Sequence, residues 1–291
     1  MRPAGQGRSP AKTGEPAVTF PVVLVRPSRG WADLRLGDVW EFRELLYFLT
    51  WRDLKARYKQ TLLGAGWAIL QPLLATVIFS LIFGVLLQVP SQGVPYPLFA
   101  YAGLLPWNYF ATALRRASMS VVDSAHLVTK VYFPRLILPL AGVLGSLVDL
   151  FLALLVLAGM MALYGHFPTW KLLTLPAFLL FATATALAVS LWLAALNVYY
   201  RDVSYVLNFL VQVWMYATPV VYSSAIIPER WRLLYGLNPM VGVVEGFRWA
   251  LLGQGELPGL FLWASVGVVG VMLVGGLFFF RHMERSFSDV I

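Results

Sequence analysis

The sequence predicts an all-α integral membrane protein with six transmembrane helices per chain. An amphipathic helix precedes them, and two short helices dip into the outer face between spans five and six. Three observations carry this prediction. The chain is 59% hydrophobic and only 12% charged, with a mean hydropathy of +0.72, against about 45–50% apolar and about 25% charged residues in soluble domains. Its apolar runs are long, with no charged residue between positions 62 and 114. Of its 22 Lys and Arg, 18 fall in segments that the six-span topology leaves in the cytoplasm, and only Lys171, Arg230, Arg232 and Arg248 fall outside. The inverted topology would reverse that bias, so both termini are placed inside.

A chain of 291 residues has room for several spans of about 20 residues but for little else. The net charge of +8 would raise nucleic-acid binding in a soluble protein. Here the charge lies beside apolar spans, where membrane topology and anionic lipid account for it. The absence of cysteine excludes a disulfide framework, a thiolate metal site and a cysteine nucleophile. No short apolar core followed by a small-residue cleavage site opens the chain, so its start is expected to be retained.

Residues 1–37 are read as a cytoplasmic tail: the first twenty or so are rich in Pro, Gly and charge, and a β-branched run ended by Pro27 and Gly30 suits an extended strip. Residues 38–61 have a helical period, with Tyr47, Trp51, Leu54 and Tyr58 on one face and Arg52, Lys55 and Lys59 on another. That pattern suits a helix in the cytoplasmic lipid interface; packing on a soluble domain is the competing explanation. The first span covers residues 62–87, about 39 Å of helix against a hydrocarbon core of about 30 Å. It must tilt or kink, for which Pro72 gives a site, and Gly64 and Gly66 allow a close neighbour.

The second span, 97–114, contains Pro106, which is expected to break its hydrogen-bond ladder. A cytoplasmic loop follows with Arg115, Arg116, Lys130 and Arg135, holding a short helix at 124–133 between a Ser or Asp cap and Pro134. The third span, 138–163, offers Ala141, Gly142, Gly145 and Ser146 for tight packing and carries Asp149 near its middle. The fourth covers 172–198, and the inside turn with Arg201 and Asp202 leads to the fifth, 203–221. Asn208, Gln212 and Pro219 make the fifth unlike a uniformly lipid-facing helix. Residues 223–257 are too polar to span cleanly and too apolar for a free loop. Two short helices meeting at Asn238-Pro239 and covered by protein fit them. The last span is 260–280, and 281–291 form a cytoplasmic tail.

No GxxxxGK[ST] loop is present to cradle a nucleotide phosphate. His126, His166 and His282 lie in separate segments without metal-ligand spacing, and no Ser-His-Asp arrangement is evident. The chain is expected to have no catalytic site, no metal and no cofactor of its own. What remains suits transport. Trp107, Tyr109, Phe110, Trp192, Tyr199, Tyr200, Trp214, Tyr216 and Tyr222 form either an interfacial aromatic belt or a lining on which sugar rings stack weakly and repeatedly. Asp149 is costly in a bilayer and so is a functional candidate; bonding to a polar neighbour or reaching a wet cavity are the plainer alternatives. The segment 124–134 suits either a lipid-bound turn or docking of a cytoplasmic partner.

The segments WRDLKARYKQTLLGAGWAILQPLL, LLPWNYF, HLVTKVYFPRLILP, NVYYRDV, and YATPVVY followed by LNPM closely resemble, in content and order, the membrane subunit of ABC-2 type polysaccharide exporters. These are the permeases for lipid-linked O-antigen, capsule and teichoic acid. The match runs from about residue 31 to the end, and RPSRGWADLRLGDVWEFRELLYFLTWRD looks most like the O-antigen branch. The resemblance implies an ABC-2, type V-like exporter fold and a homodimer bound to two copies of a separate ATPase subunit that holds ATP and Mg. The complex would move an undecaprenyl-pyrophosphate-linked glycan from cytoplasm to periplasm across the bacterial inner membrane. By the same resemblance residues 38–61 are an interface helix. Ser124, His126, Leu127, Lys130, Tyr132 and Phe133 belong to a coupling helix seated in the ATPase, and the helices within 223–257 are periplasmic gates. Arg52, Lys55, Arg57 and Lys59 would meet the lipid pyrophosphate, a role that anionic phospholipid satisfies equally well. A permease for a small lipid or drug would need a narrower path with fewer aromatics. A membrane-bound glycan-processing enzyme should show paired carboxylates, and Asp149 has no acidic companion in its span.

Overall fold

The computed structural model describes residues 36–59, 66–253 and 259–290, and every regular element among them is helical. The extended strip, most of the N-terminal tail and Gly64 lie outside the described residues. α1 (Leu36–Glu41) and α2 (Arg43–Lys59) follow each other directly. α2 rests on α6 through Leu49, which is buried, with Leu45 and Leu46 beside it. Trp40, Tyr47, Phe48 and Trp51 point outward. The stripe expected to hold Tyr47, Trp51 and Tyr58 together is therefore divided: the first two face out, while Tyr58 turns inward to Asp149.

α3 (Gly66–Phe79) passes through Pro72 and continues as a π-helical segment, Ser80–Leu86. Leu87 N–H donates to the Ile82 carbonyl at 2.9 Å, an i→i−5 bond. Such widened turns absorb irregularity inside a helix without ending it. α4 (Tyr96–Asp123) is a single helix of 28 residues, about 42 Å long. Pro106 does not break it. A proline removes one donor from the ladder, and neighbouring helices around this buried residue make the loss tolerable. The expected long loop after residue 114 is thus mostly helix: α4 ends at Asp123 and α5 (Ala125–Lys130) begins two residues later.

α6 (Ile137–Leu163) leads through a 3₁₀ turn, Trp170–Thr174, into α7 (Leu175–Tyr199). α8 (Val203–Tyr216) stops at Tyr216 rather than near residue 221, with Pro219 in the turn beyond it. Then come α9 (Glu229–Gly236), α10 (Pro239–Leu252), α11 (Gly259–Glu284) and α12 (Phe287–Val290). Among the described residues, four stretches are long and apolar enough to cross a membrane: Ile69–Leu86, Ile137–Leu163, Trp170–Tyr199 and Leu262–Glu284. The chain is a multi-pass membrane protein.

α4 is the axis of the bundle, packed on α3, α6, α7 and α10. Lipid tails are as apolar as leucine, so close backbone approach and polar cross-links, more than escape from water, hold such helices together. Both are present. A Cβ on Gly142 would lie 2.9 Å from the Ala117 backbone nitrogen, and one on Gly246 would lie 2.1 Å from the Phe178 ring. α10 has 12 of its 14 residues buried; a core helix of this kind, too short to span, must be covered on all sides. Asn238 starts it as an N-cap, accepting from Met240 N–H at 3.1 Å with Pro239 in the first turn, an arrangement in which the missing proline donor costs nothing. The Asn238 amide also donates to Ala217 O and Thr218 Oγ1, tying α10 to the end of α8.

Buried Arg248 anchors the irregular turn after α8. Its guanidinium donates to the carbonyls of Phe99, Pro219, Val220 and Tyr222, and it sits 3.8 Å over the Phe99 ring. Glu245 balances its charge at 3.5 Å. Backbone that leaves the helical ladder at membrane depth needs such donors.

Candidate functional site

A cavity of about 340 Å³ opens between the end of α2, the start of α3 and the facing sides of α4 and α6. Thr50 of α2 lies against Gly145 of α6, 3.8 Å from where a Cβ would stand. This pass of α2 along α6 carries Arg57 and Tyr58 to Asp149. Arg57 donates to one carboxylate oxygen of Asp149 and the Tyr58 hydroxyl donates to the other. Arg116 of α4 approaches the oxygen that Arg57 holds, at 4.0 Å. Asn108, Thr112, Arg115 and Arg116 line one side of the cavity, because three- and four-residue steps bring them to one face of α4. Trp67 and Gln71 close it from α3.

Three guanidinium groups against one carboxylate leave the cavity two positive charges in excess. Arginines with hydroxyl and amide donors around them suit a phosphate or pyrophosphate, whose oxygens accept several charge-assisted bonds at once. Burial and the bond to Asp149 push the Tyr58 hydroxyl up to about 12, so it remains a neutral donor at physiological pH. An adjoining cavity of about 280 Å³ shares Arg57 and Arg116 and adds Arg52, Asp53, Ser120 and Asp123. Burial, with the nearby Asp53 charge, raises the Asp123 carboxyl above its ordinary value.

The pattern of the ABC-2 type transporter family matches residues 44–252, including the walls of this cavity. The chain belongs to the ABC-2 type transporter family. It is similar to the O-antigen export system permease protein RfbA of Myxococcus xanthus, 34% identical over 257 residues, covering 86% of this chain and 97% of that one. The protein of that name from Klebsiella pneumoniae is 27% identical over 250 residues, 85% of this chain and 95% of its own. A shorter likeness, 35% over 75 residues, links 26% of the chain to the inner membrane transport permease YadH of Escherichia coli.

Within this ABC-2 chain the four basic residues expected to meet a lipid pyrophosphate separate. Arg57 lines the main cavity. Arg52 pairs with its neighbour Asp53 at 2.9 Å and faces the adjoining cavity, while Lys55 and Lys59 are exposed on the surface of α2. The aromatics expected along a substrate path do not converge either. Trp107 and Phe110 are buried, and Phe110 meets the Trp214 ring edge-on at 5.2 Å. Trp214 donates its indole N–H to Asn238 Oδ1 at 2.8 Å. Trp192 stacks on Phe279 and donates to the Met272 carbonyl, and the Tyr199 hydroxyl meets Ser286 Oγ. Tyr109 donates to Thr183 Oγ1 at 3.1 Å and borders the cavity. Tyr216 is exposed, on a side of α8 that also shows Tyr205, Asn208, Phe209 and Gln212.

The segment expected to couple to an ATPase has a sharp division. Ser124, Val128 and Phe133 are buried and Leu127 is half-buried, whereas His126, Lys130, Val131 and Tyr132 are exposed. The helix is shorter than expected, and the Ser124 side chain makes no capping bond to it. The end of α11 and the start of α12 fix this turn. Glu284 accepts from Arg135 N–H at 2.9 Å, and Phe287 is fully buried against the same cluster.

Tyr58, Arg115, Arg116, Asn108 and Thr112 were not singled out by sequence as site residues. Two signals point to them. The Arg115-Arg116 pair ends the longest charge-free run, and a lone acid within a spanning helix calls for a cationic partner from elsewhere in the fold.

Proposed function

We propose that this ABC-2 permease is the membrane subunit of an ATP-driven exporter of lipid-linked O-antigen polysaccharide. It works as a homodimer with two copies of a separate ATPase subunit, on which ATP and Mg act, and moves an undecaprenyl-pyrophosphate-linked glycan from the cytoplasmic to the periplasmic side of the inner membrane. The observation that carries the reading is the likeness to an O-antigen export permease along nearly the whole of that relative. The arginine-lined cavity supports it chemically, because it suits the charged end of such a lipid.

In this reading six spans form from the four long apolar helices together with α4 and with α8 extended by the turn after it. Both termini are cytoplasmic. α5 with Tyr132 docks the ATPase, and α9 and α10 form a gate at the periplasmic face. The cavity around Arg57, Arg115 and Arg116 receives the pyrophosphate. The exposed mixture of aromatic and amide side chains on α8 faces the glycan path between two copies of the chain. Deleting the gene should remove the glycan from the cell surface and accumulate it, lipid-linked, on the cytoplasmic side. Unchanged surface glycan in the deletion strain would refute the proposal.

A further inference from the structure

The cavity lined by Arg57, Arg115 and Arg116 offers more than an anion needs. Its volume of about 340 Å³ lies within the range of pockets that enclose a small organic molecule, and the end away from the arginines has a different chemistry. Along α4, Thr112 stands one turn and Asn108 two turns before Arg116. Asn108 is therefore set about 12 Å along the helix from Arg116, farther than one pyrophosphate reaches. Trp67 and Gln71, one turn apart, line the same cavity from α3, and Trp67 is half exposed. Among the described residues the side chains of Gln71, Asn108 and Thr112 form no hydrogen bond within the chain. The contrast is clearest at Thr112. Thr50, Thr76, Thr129, Thr183 and Thr185 of the other α-helices each bond back to the carbonyl four residues earlier, a common way for a helical hydroxyl to be satisfied.

We propose that Trp67, Gln71, Asn108 and Thr112 form a saccharide subsite for the first sugar joined to the pyrophosphate, so that the cavity reads the sugar-pyrophosphate linkage rather than the phosphates alone. The inference rests on the reading of this cavity as the site for a lipid-linked pyrophosphate. Arginine offers donors only, which is all that phosphate oxygens require, whereas a sugar hydroxyl both donates and accepts. Amide and hydroxyl side chains match it in both senses, and three of them with open bonding capacity are grouped beyond the arginines. The Trp67 indole supplies the apolar wall of such a site, because the negative face of its ring suits the C–H face of a pyranose. With the phosphates held by Arg57, Arg115 and Arg116, the sugar bonded to them lies beside Thr112 and reaches Asn108.

The test uses the full-length permease in phosphatidylcholine nanodiscs, with bound lipid counted by native mass spectrometry. The probes are farnesyl pyrophosphate, bare or carrying one glucose or one N-acetylglucosamine. At least one sugar-bearing probe should bind wild type about tenfold more tightly than the bare one, as about two neutral hydrogen bonds would give. Asn108→Leu and Gln71→Leu should each cut that gain at least about threefold, and Trp67→Ala should do the same through lost stacking. Arg116→Gln should weaken bare and sugar-bearing probes alike and leave their ratio unchanged. Gln71 is exposed, so its variant carries the test if Asn108→Leu does not elute as a single species. Bare and sugar-bearing probes that bind wild type equally overturn the subsite while the phosphate site stands, and so does a gain that survives undiminished in the Asn108, Gln71 and Trp67 variants. A wild type that binds none of the probes overturns the assignment of the cavity itself.

Discussion

Arg57 and Asp149, 92 positions apart in sequence, form an ion pair that fastens the helix ahead of the membrane domain to the middle of α6. Asp149 is the one acid in α6, and Arg57 lies near the end of α2, where the chain turns toward its first span. The pair answers two demands at once. It compensates a carboxylate in an otherwise apolar helix, and it holds a cation at the edge of a cavity that suits an anionic lipid.

Replacing Arg57 with Ala leaves Asp149 with Tyr58 and the more distant Arg116. The loss should be about 1–3 kcal/mol, less than for a sealed pair because both side chains reach solvent. Thermal unfolding in detergent should record a lower Tm for Arg57→Ala, and the double variant with Asp149→Asn should lose less than the two singles together. Strict additivity would mean that the two residues do not stabilise each other.

Arg248→Met should be more damaging, by about 3–5 kcal/mol, because it strips donors from four carbonyls and leaves Glu245 as an uncompensated charge in a buried site. Hydrogen exchange should accelerate across residues 217–224. Arg248→Lys should not restore the slow exchange, since one ammonium cannot reach carbonyls on both α4 and the turn after α8.

Two glycines one turn apart in α6 should behave oppositely. Gly142→Ala drives a methyl group to 2.9 Å from the α4 backbone, and relieving it should cost about 1–3 kcal/mol. Gly145→Ala meets nothing closer than Thr50 at 3.8 Å and should stay within about 0.5 kcal/mol of wild type. Melting curves of the two variants side by side check this.

Tyr132 and Phe133 are adjacent but should fail differently. Tyr132→Ala should leave the melting temperature unchanged and reduce recovery of the ATPase subunit in pull-downs severalfold, since Tyr132 is 60% exposed. Phe133→Ala should lower stability by about 3–5 kcal/mol through the cavity it leaves in the core beneath α5. Equal loss of the partner in two equally stable variants would contradict this division.

The membrane class was legible because hydropathy is a sum over many residues and survives local exceptions. So was the pair of short helices meeting at Asn238-Pro239, where cap chemistry is local in sequence. Pro106 misled because its effect depends on what surrounds the helix: in isolation it weakens the ladder, whereas packed among α6, α7 and α10 it does not interrupt α4. Arg115 and Arg116 read as loop residues because charge begins with them where the apolar span ends, and α4 continuing to Asp123 is what brings them to the cavity. Helical period grouped Tyr58 with Tyr47 and Trp51, but long-range attraction by Asp149 decided where Tyr58 points. The same limit applied to Trp107, Phe110 and Trp214. Their spacing cannot distinguish a residue that lines a path from one that packs on another ring.

The central claim is that this chain carries a pyrophosphate-linked glycan across the bilayer when an ATPase partner turns over. The direct measurement reconstitutes the permease with that subunit in proteoliposomes, supplies lipid-linked glycan in the outer leaflet, and follows its protection from an added glycosidase. ATP should bring about protection in wild type, with the rate falling at least about tenfold in Arg116→Gln as a phosphate contact is lost. Glycan that stays fully accessible with ATP present, or becomes protected equally without it, would contradict the account.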